Sequence, residues 1–179
     1  MQLEKLNIMV DLETLGSTPG CSILSIGAVK FDAEGLGSEY YRIIRHNSCP
    51  QLFEEDDTVA WWNRQAPEAR KILDDVKGDK AIPLQDALIG FNKFVKLSGI
   101  RWTTVWGNGS DFDNAILACA YRAAKVQPEW KFWNNRCYRT LKNLHGDVPF
   151  NRQGTYHNAL DDAKSQAEHA VLILKKMAA

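Results

Sequence analysis

Three short segments hold residues whose types and spacing could do chemistry. The first is Asp11-Leu12-Glu13. Side chains on an extended chain alternate faces, so both carboxylates project to one side and Leu12 to the other. At about 4 Å, two carboxylates repel by roughly 1 kcal/mol in water and about 4 kcal/mol at an effective dielectric of 20. A divalent cation turns that repulsion into attraction, and oxygen ligands suit magnesium and manganese. The second segment, Trp106-Gly-Asn-Gly-Ser-Asp-Phe-Asp113, offers acids at the start of a helix. Asp111 could equally be an N-cap, and position alone does not separate it from Asp113. The third, Tyr156-His-Asn-Ala-Leu-Asp-Asp-Ala163, places His157 ahead of a helix with Asp161 and Asp162 in its first turn. On the helical wheel Ala159, Ala163, Ala167, Ala170 and Leu174 form the packed stripe. Asp161 lies nearly opposite the centre of that stripe and Asp162 on its flank, which favours Asp162 as the acid directed along the domain edge. Taken singly, each segment has an ordinary account as a solvated strand end or a charged helix start.

The elements that must position these groups follow from periodicity. Leu6 to Asp11, Ser22 to Phe31 and Ser38 to Arg45 read as strands joined by short glycine-bearing links, an antiparallel meander. From Asp57 the period becomes helical through Thr58, Trp61, Trp62 and Gln65, and Pro67 opens a short helix through Leu73. Pro83 begins an amphipathic helix with Leu84, Ala87, Leu88, Phe91, Phe94 and Val95 on one stripe, ending near Ser98–Gly99. Trp102 to Trp106 reads as a buried strand, followed by helices from about Asp113 to Ala124, Tyr138 to Leu144 and about Asn158 to Met177. The expectation is one mixed α/β domain over residues 1–179, with neither repeats nor a linker.

With 179 residues, 45% of them hydrophobic, the chain can bury a core without staples, and disordered or fibrous classes are excluded. The 22 basic and 22 acidic residues cancel, which excludes a non-specific basic coat for DNA. Scattered cysteines without a CxxC pair, and no targeting or membrane-spanning stretch, lead to an expected cytoplasmic protein with reduced thiols.

Together the three segments resemble the DEDDh family of 3′→5′ exonucleases. That family's pattern is Asp-x-Glu on the first strand, Phe-Asp opening a later helix, and His-x4-Asp on the last helix. Asp11 and Glu13, Phe112-Asp113, and His157 with Asp162 stand here in that order. Within the family the chain is most similar to phage and prophage nucleases of the exonuclease VIII type, through Asp11-Leu-Glu-Thr-Leu-Gly16, Val59-Ala-Trp-Trp-Asn-Arg-Gln65, Trp106-Gly-Asn-Gly109 and Cys137-Tyr-Arg-Thr140. The resemblance implies a ribonuclease-H-like fold, a mixed central sheet flanked by helices. It implies that Asp11, Glu13, Asp113 and Asp162 hold two divalent cations, Mg2+ or Mn2+, for in-line phosphodiester hydrolysis. It favours Asp113 over Asp111 and Asp162 over Asp161. His157 would take the proton of the attacking water, and the product would be a nucleoside 5′-monophosphate.

The implied partner is nucleic acid with a free 3′ end, single-stranded DNA or RNA, with DNA expected ahead of RNA. Relatives of this size also raise a homodimer. Thr14 and Leu15 resemble family positions that touch the terminal nucleotide. Trp61 and Gln65 share a helix face, and an exposed Trp61 could stack on a base, with Trp62 left for the core. A different class of protein, a non-catalytic binding module on the same fold, could lose carboxylates freely, yet all four and His157 are present.

Overall fold

The first strand forms as β1, Asn7–Thr14, in the computed structural model, which describes residues 7–96 and 103–178. Leu6, Ser98–Gly99 and Trp102 of the expected elements lie outside the described residues. β1 does not stop at Asp11 as expected. It continues to Thr14 because β2, Ile23–Asp32, pairs with it antiparallel over that whole length. β3, Gly35–Ile43, completes the meander. β4, Thr104–Gly107, lies parallel to β1 on its other side, and β5, Asn135–Cys137, parallel to β4. Among the described residues the sheet order is β3-β2-β1-β4-β5.

The helices are α1 (Asp56–Asn63), α2 (Pro67–Arg70), α3 (Ile72–Asp75), α4 (Leu84–Lys96), α5 (Asp113–Ala123), α6 (Tyr138–Leu144) and α7 (Ala159–Ala178). The single helix expected from Pro67 is thus α2 and α3, joined through Lys71, whose backbone is still helical at φ −51° and ψ −28°.

Alternation along β1 divides the molecule. Ile8, Val10 and Leu12 face one core with Leu84, Leu88 and Phe91 of α4 and Ile116 and Leu117 of α5. Met9 faces the other, with Val29, Phe31 and the alanines Ala163, Ala167 and Ala170 of α7. Asp11 and Glu13 follow Met9 by steps of two, so they stand on the α7 side. The small side chains on α7 let that helix lie close to the sheet. Closest approach comes at Gly27, the β2 partner of Asp11, where an added Cβ would run into the Ala159 carbonyl and the Leu160 amide nitrogen.

A methyl group at position 27 must therefore lift the start of α7. Gly27→Ala is expected to cost about 1–3 kcal/mol in urea denaturation, the range for overpacking a filled site. Gly146→Ala, with nothing within 4 Å of the added carbon, should leave stability within about 0.5 kcal/mol.

Candidate active site

Glu13, Asp113 and Asp162 are almost wholly buried, at 7%, 1% and 7% exposure, and Asp11 is half-buried beside them. Each is placed by a different element. β1 carries Asp11 and Glu13. Asp113 opens α5 directly after the glycine turn, and its two oxygens accept the N–H of Leu12 (3.1 Å) and of Asn108 (2.6 Å). The β4 ladder alongside β1 ends at Met9, and the Asp113 carboxylate accepts the Leu12 N–H beyond it. Gly107 leaves room for this, since a Cβ there would sit 2.9 Å from that of Asp113. Asp111 is exposed. Phe112 is half-buried, packed against the α4–α5 core and also lining the cleft.

On α7, Asp162 faces the sheet while Asp161 turns outward and accepts the Thr155 N–H (2.8 Å). Asn158 Oδ1 accepts the N–H groups of Leu160 (3.1 Å) and Asp161 (3.2 Å), closing the start of the helix. Just before it, His157 adopts φ +59°, a left-handed conformation that a non-glycine residue keeps only where its surroundings impose it. Its ring meets that of Trp61 edge-on at 4.8 Å between centroids. The ligand atoms of Glu13, His157 and Asp162 all lie within 4.8 Å of one another, whereas Asp11 and Asp113 stand outside that group of three.

Asp11, Glu13, His157 and Asp162 line an open cleft of roughly 630 Å³ together with Thr14, Ser17, Trp61, Asn108 and Arg152. Trp62 is core, and its Nε1–H donates to the Thr14 carbonyl (2.8 Å). Two expected substrate contacts are not in the lining. Leu15 is buried with Leu24, Trp62 and Ile72, so its side chain is used in packing. Gln65 lies past the end of α1, where its Nε2–H donates back to the Trp61 carbonyl (2.9 Å).

Three further residues complete the site. Gln166 donates from Nε2 to Asp11 Oδ1 (2.7 Å), and Arg152 forms an ion pair with Asp162. Glu55 accepts from Thr18 Oγ1 (2.7 Å) and from the amide and hydroxyl of Ser17 (both 2.9 Å), pinning the turn after β1 to α1. Gln166 stands one turn beyond Asp162, a spacing that could have marked it. No local pattern marks Arg152.

Burial, and then repulsion from Asp113, Glu13 and Asp162, raises Asp11 well above the ordinary carboxylate range. The same two causes push Glu13 up to about 8, with Arg152 opposing. Burial also carries Asp113 and Asp162 to about 6. His157 is shifted downward, by burial first and by the Arg152 charge second. A cluster of oxygens with one imidazole, short of positive charge and with Gln166 Oε1 and Asn108 Oδ1 buried without hydrogen-bond partners among the described residues, fits a hard divalent cation.

The sequence matches a family described as the 3′-5′ exoribonuclease Rv2179c-like domain over residues 6–174. It is 27% identical to an exodeoxyribonuclease of Enterobacteria phage T4, covering 75% of this chain and 69% of that one. Among solved structures it is similar to the nuclease domain of 3′hExo, a DEDDh family member bound to rAMP, with a TM-score of 0.67 at 14% identity over 98% of this chain and 94% of that one. It is also similar to E. coli exonuclease I in complex with a 5cy-dT13 oligonucleotide, with a TM-score of 0.67 at 12% identity over 97% of this chain and 41% of that one. The fold is thus ribonuclease-H-like. No helix among the described residues is long and apolar enough to cross a membrane.

Raised carboxylates give the fold a definite pH response. A group held above its unfolded value contributes stability that is full below that value and lost as pH climbs through the folded one. The metal-free protein should therefore lose thermal stability between pH 5 and pH 8, as Asp113, Asp162 and then Glu13 ionise. Thermal melts should show this slope, flattened by Glu13→Gln, and a larger gain in Tm from Mn2+ at pH 8 than at pH 5.

Proposed function

The chain belongs to the 3′-5′ exoribonuclease Rv2179c-like domain family and is a metal-dependent 3′→5′ exonuclease; from that premise we propose its substrate, its metal and the part each residue plays. The substrate is single-stranded DNA entering the cleft by its 3′ end, and each turnover releases a nucleoside 5′-monophosphate. The convergence of Asp11, Glu13, Asp162 and His157 in one cleft, with Asp113 held against Leu12 between the two acids of β1, carries this reading.

Asp11, Glu13, Asp113 and Asp162 hold a pair of divalent ions, Mg2+ or Mn2+. When bound, such ions neutralise charge on the phosphate and lower the pKa of water. The chain's own residues do the rest. Asp113 ties the glycine turn to β1, which fixes the acid that opens α5 relative to the two acids of β1. His157, kept neutral by burial and by Arg152, is free to accept a proton from the attacking water. The Trp61 ring, half-exposed in the cleft and braced edge-on by His157, can stack on the last base, an interaction of about 1–3 kcal/mol that tolerates any base. Thr14, whose carbonyl is tied to Trp62, lines the same cleft.

The DNA assignment is supported by the exodeoxyribonuclease relative. The family's description as exoribonuclease favours a second reading, hydrolysis of RNA 3′ ends. Matched 5′-labelled single-stranded DNA and RNA, incubated with Mg2+, Mn2+ or chelator, decide between them. DNA should ladder faster from its 3′ end, only with metal, and not with Asp162→Asn; faster laddering of RNA reverses the assignment. Asp113→Asn should lower the rate by about 10²–10³-fold or more while Asp111→Asn keeps most of it. Trp61→Ala should weaken substrate affinity by about tenfold, one lost stacking contact.

A further inference from the structure

Two arginines line the cleft among the described residues, Arg64 on its exposed rim and Arg152 against its acids. Arg152 sits between α6 and α7 on a loop fastened to α7. The Gln153 N–H donates to Ser165 Oγ (3.0 Å) and the Thr155 N–H to Asp161 Oδ2 (2.8 Å). Gly154, at φ +74°, lies so close to Asp161 that no side chain fits there. The base of Arg152 is therefore held while its long side chain extends to Asp162, with 21% of that side chain exposed and 9% of its partner's.

Its head group is poorly satisfied. Nε is buried with no hydrogen-bond partner among the described residues, and Nη2 reaches the Thr155 carbonyl only at 3.4 Å. A guanidinium carries five N–H donors, so charge more than a full set of hydrogen bonds keeps this one in place. The guanidinium carbon lies 4.0 Å from the centroid of the exposed Tyr156 ring, a second resting surface that needs no anion. Asp162 also belongs to the group of ligand atoms, with Glu13 and His157, that suits a divalent ion. Arginine and ion thus compete for one carboxylate.

We propose that Arg152 is an exchangeable counterion: it balances the carboxylates until the divalent ion displaces it from Asp162, and the released guanidinium then takes the phosphate at the 3′ end of the strand. The inference rests on the carboxylates being the metal site. Planar, bidentate donors match phosphate oxygens, and Tyr156 keeps the released group at the cleft.

Mn2+ binding to the full chain, followed by the spin-resonance signal of free Mn2+ without nucleic acid, tests the first half. Arg152→Gln should bind Mn2+ about tenfold tighter than the natural protein, the scale on which groups around a metal site act. Arg152→Met, which keeps a long apolar side chain without the charge, should do the same and serves if the first variant fails to fold. Calorimetry with thymidine 5′-monophosphate at saturating Mg2+ tests the second half, with both variants expected to bind about tenfold more weakly. Unchanged or weaker Mn2+ binding by the folded variants overturns the exchange, and unchanged monophosphate binding overturns the phosphate contact. If both variants follow these patterns yet the natural protein shortens no polymer, the exonuclease reading fails and the exchange stands.

Discussion

Like charges brought out of water repel more strongly the better they are buried, and this fold gathers four carboxylates at one place on its sheet. Much of the surrounding structure answers that constraint. Asp113 is held by two backbone N–H groups, Asp11 by the Gln166 amide, and Asp162 by Arg152. Each of these partners supplies partial or full positive charge, yet the acids still stay above the ordinary carboxylate range. The protein keeps a site that is under-neutralised by its own residues, and a cation of higher charge gains what they leave unmet.

A neutral chain binding a polyanion is consistent with this arrangement. Equal numbers of acidic and basic residues leave no broad field to collect phosphates. Attraction is concentrated instead where cations would sit, with a tryptophan beside them for the base. His157 touches both parts. Its ring packs on Trp61, and its ligand atoms lie with Glu13 and Asp162, so the tryptophan face and the acidic cluster are mechanically joined through one imidazole.

The parts legible in the sequence were those governed by local periodicity. Alternation placed Asp11 and Glu13 on one face and Leu12 on the other, and the stripe from Leu84 to Val95 is the buried face of α4. A wheel drawn on the alanines separated Asp162 from Asp161, and a turn of about 100° separated Trp62 from Trp61. What escaped was set by tertiary partners. β5 is a strand of three residues, too short to show a period. Leu15 looks available in the sequence because nothing local reveals the apolar wall of α2 and α3 beneath it. Arg152 matters through Asp162, a residue on a separate element, and the burial of Asp113 beside an exposed Asp111 is set by the N–H groups of Leu12 and Asn108 that its carboxylate accepts.

The site is closed by bonds between segments far apart in the sequence, for Gln166 reaches Asp11 across 155 residues and Asp113 reaches Leu12 across 101. During synthesis the N-terminal part of a protein leaves the ribosome first. A growing chain thus exposes Asp11, Glu13 and later Asp113 well before His157 and Asp162 exist. Until α7 has been made, the sheet face that it covers stays bare and the ligand group of Glu13, His157 and Asp162 cannot assemble. The order of the elements thus sets the order of assembly: the acids of β1 come first, and the group that Glu13 shares with His157 and Asp162 forms only when α7 docks on the sheet.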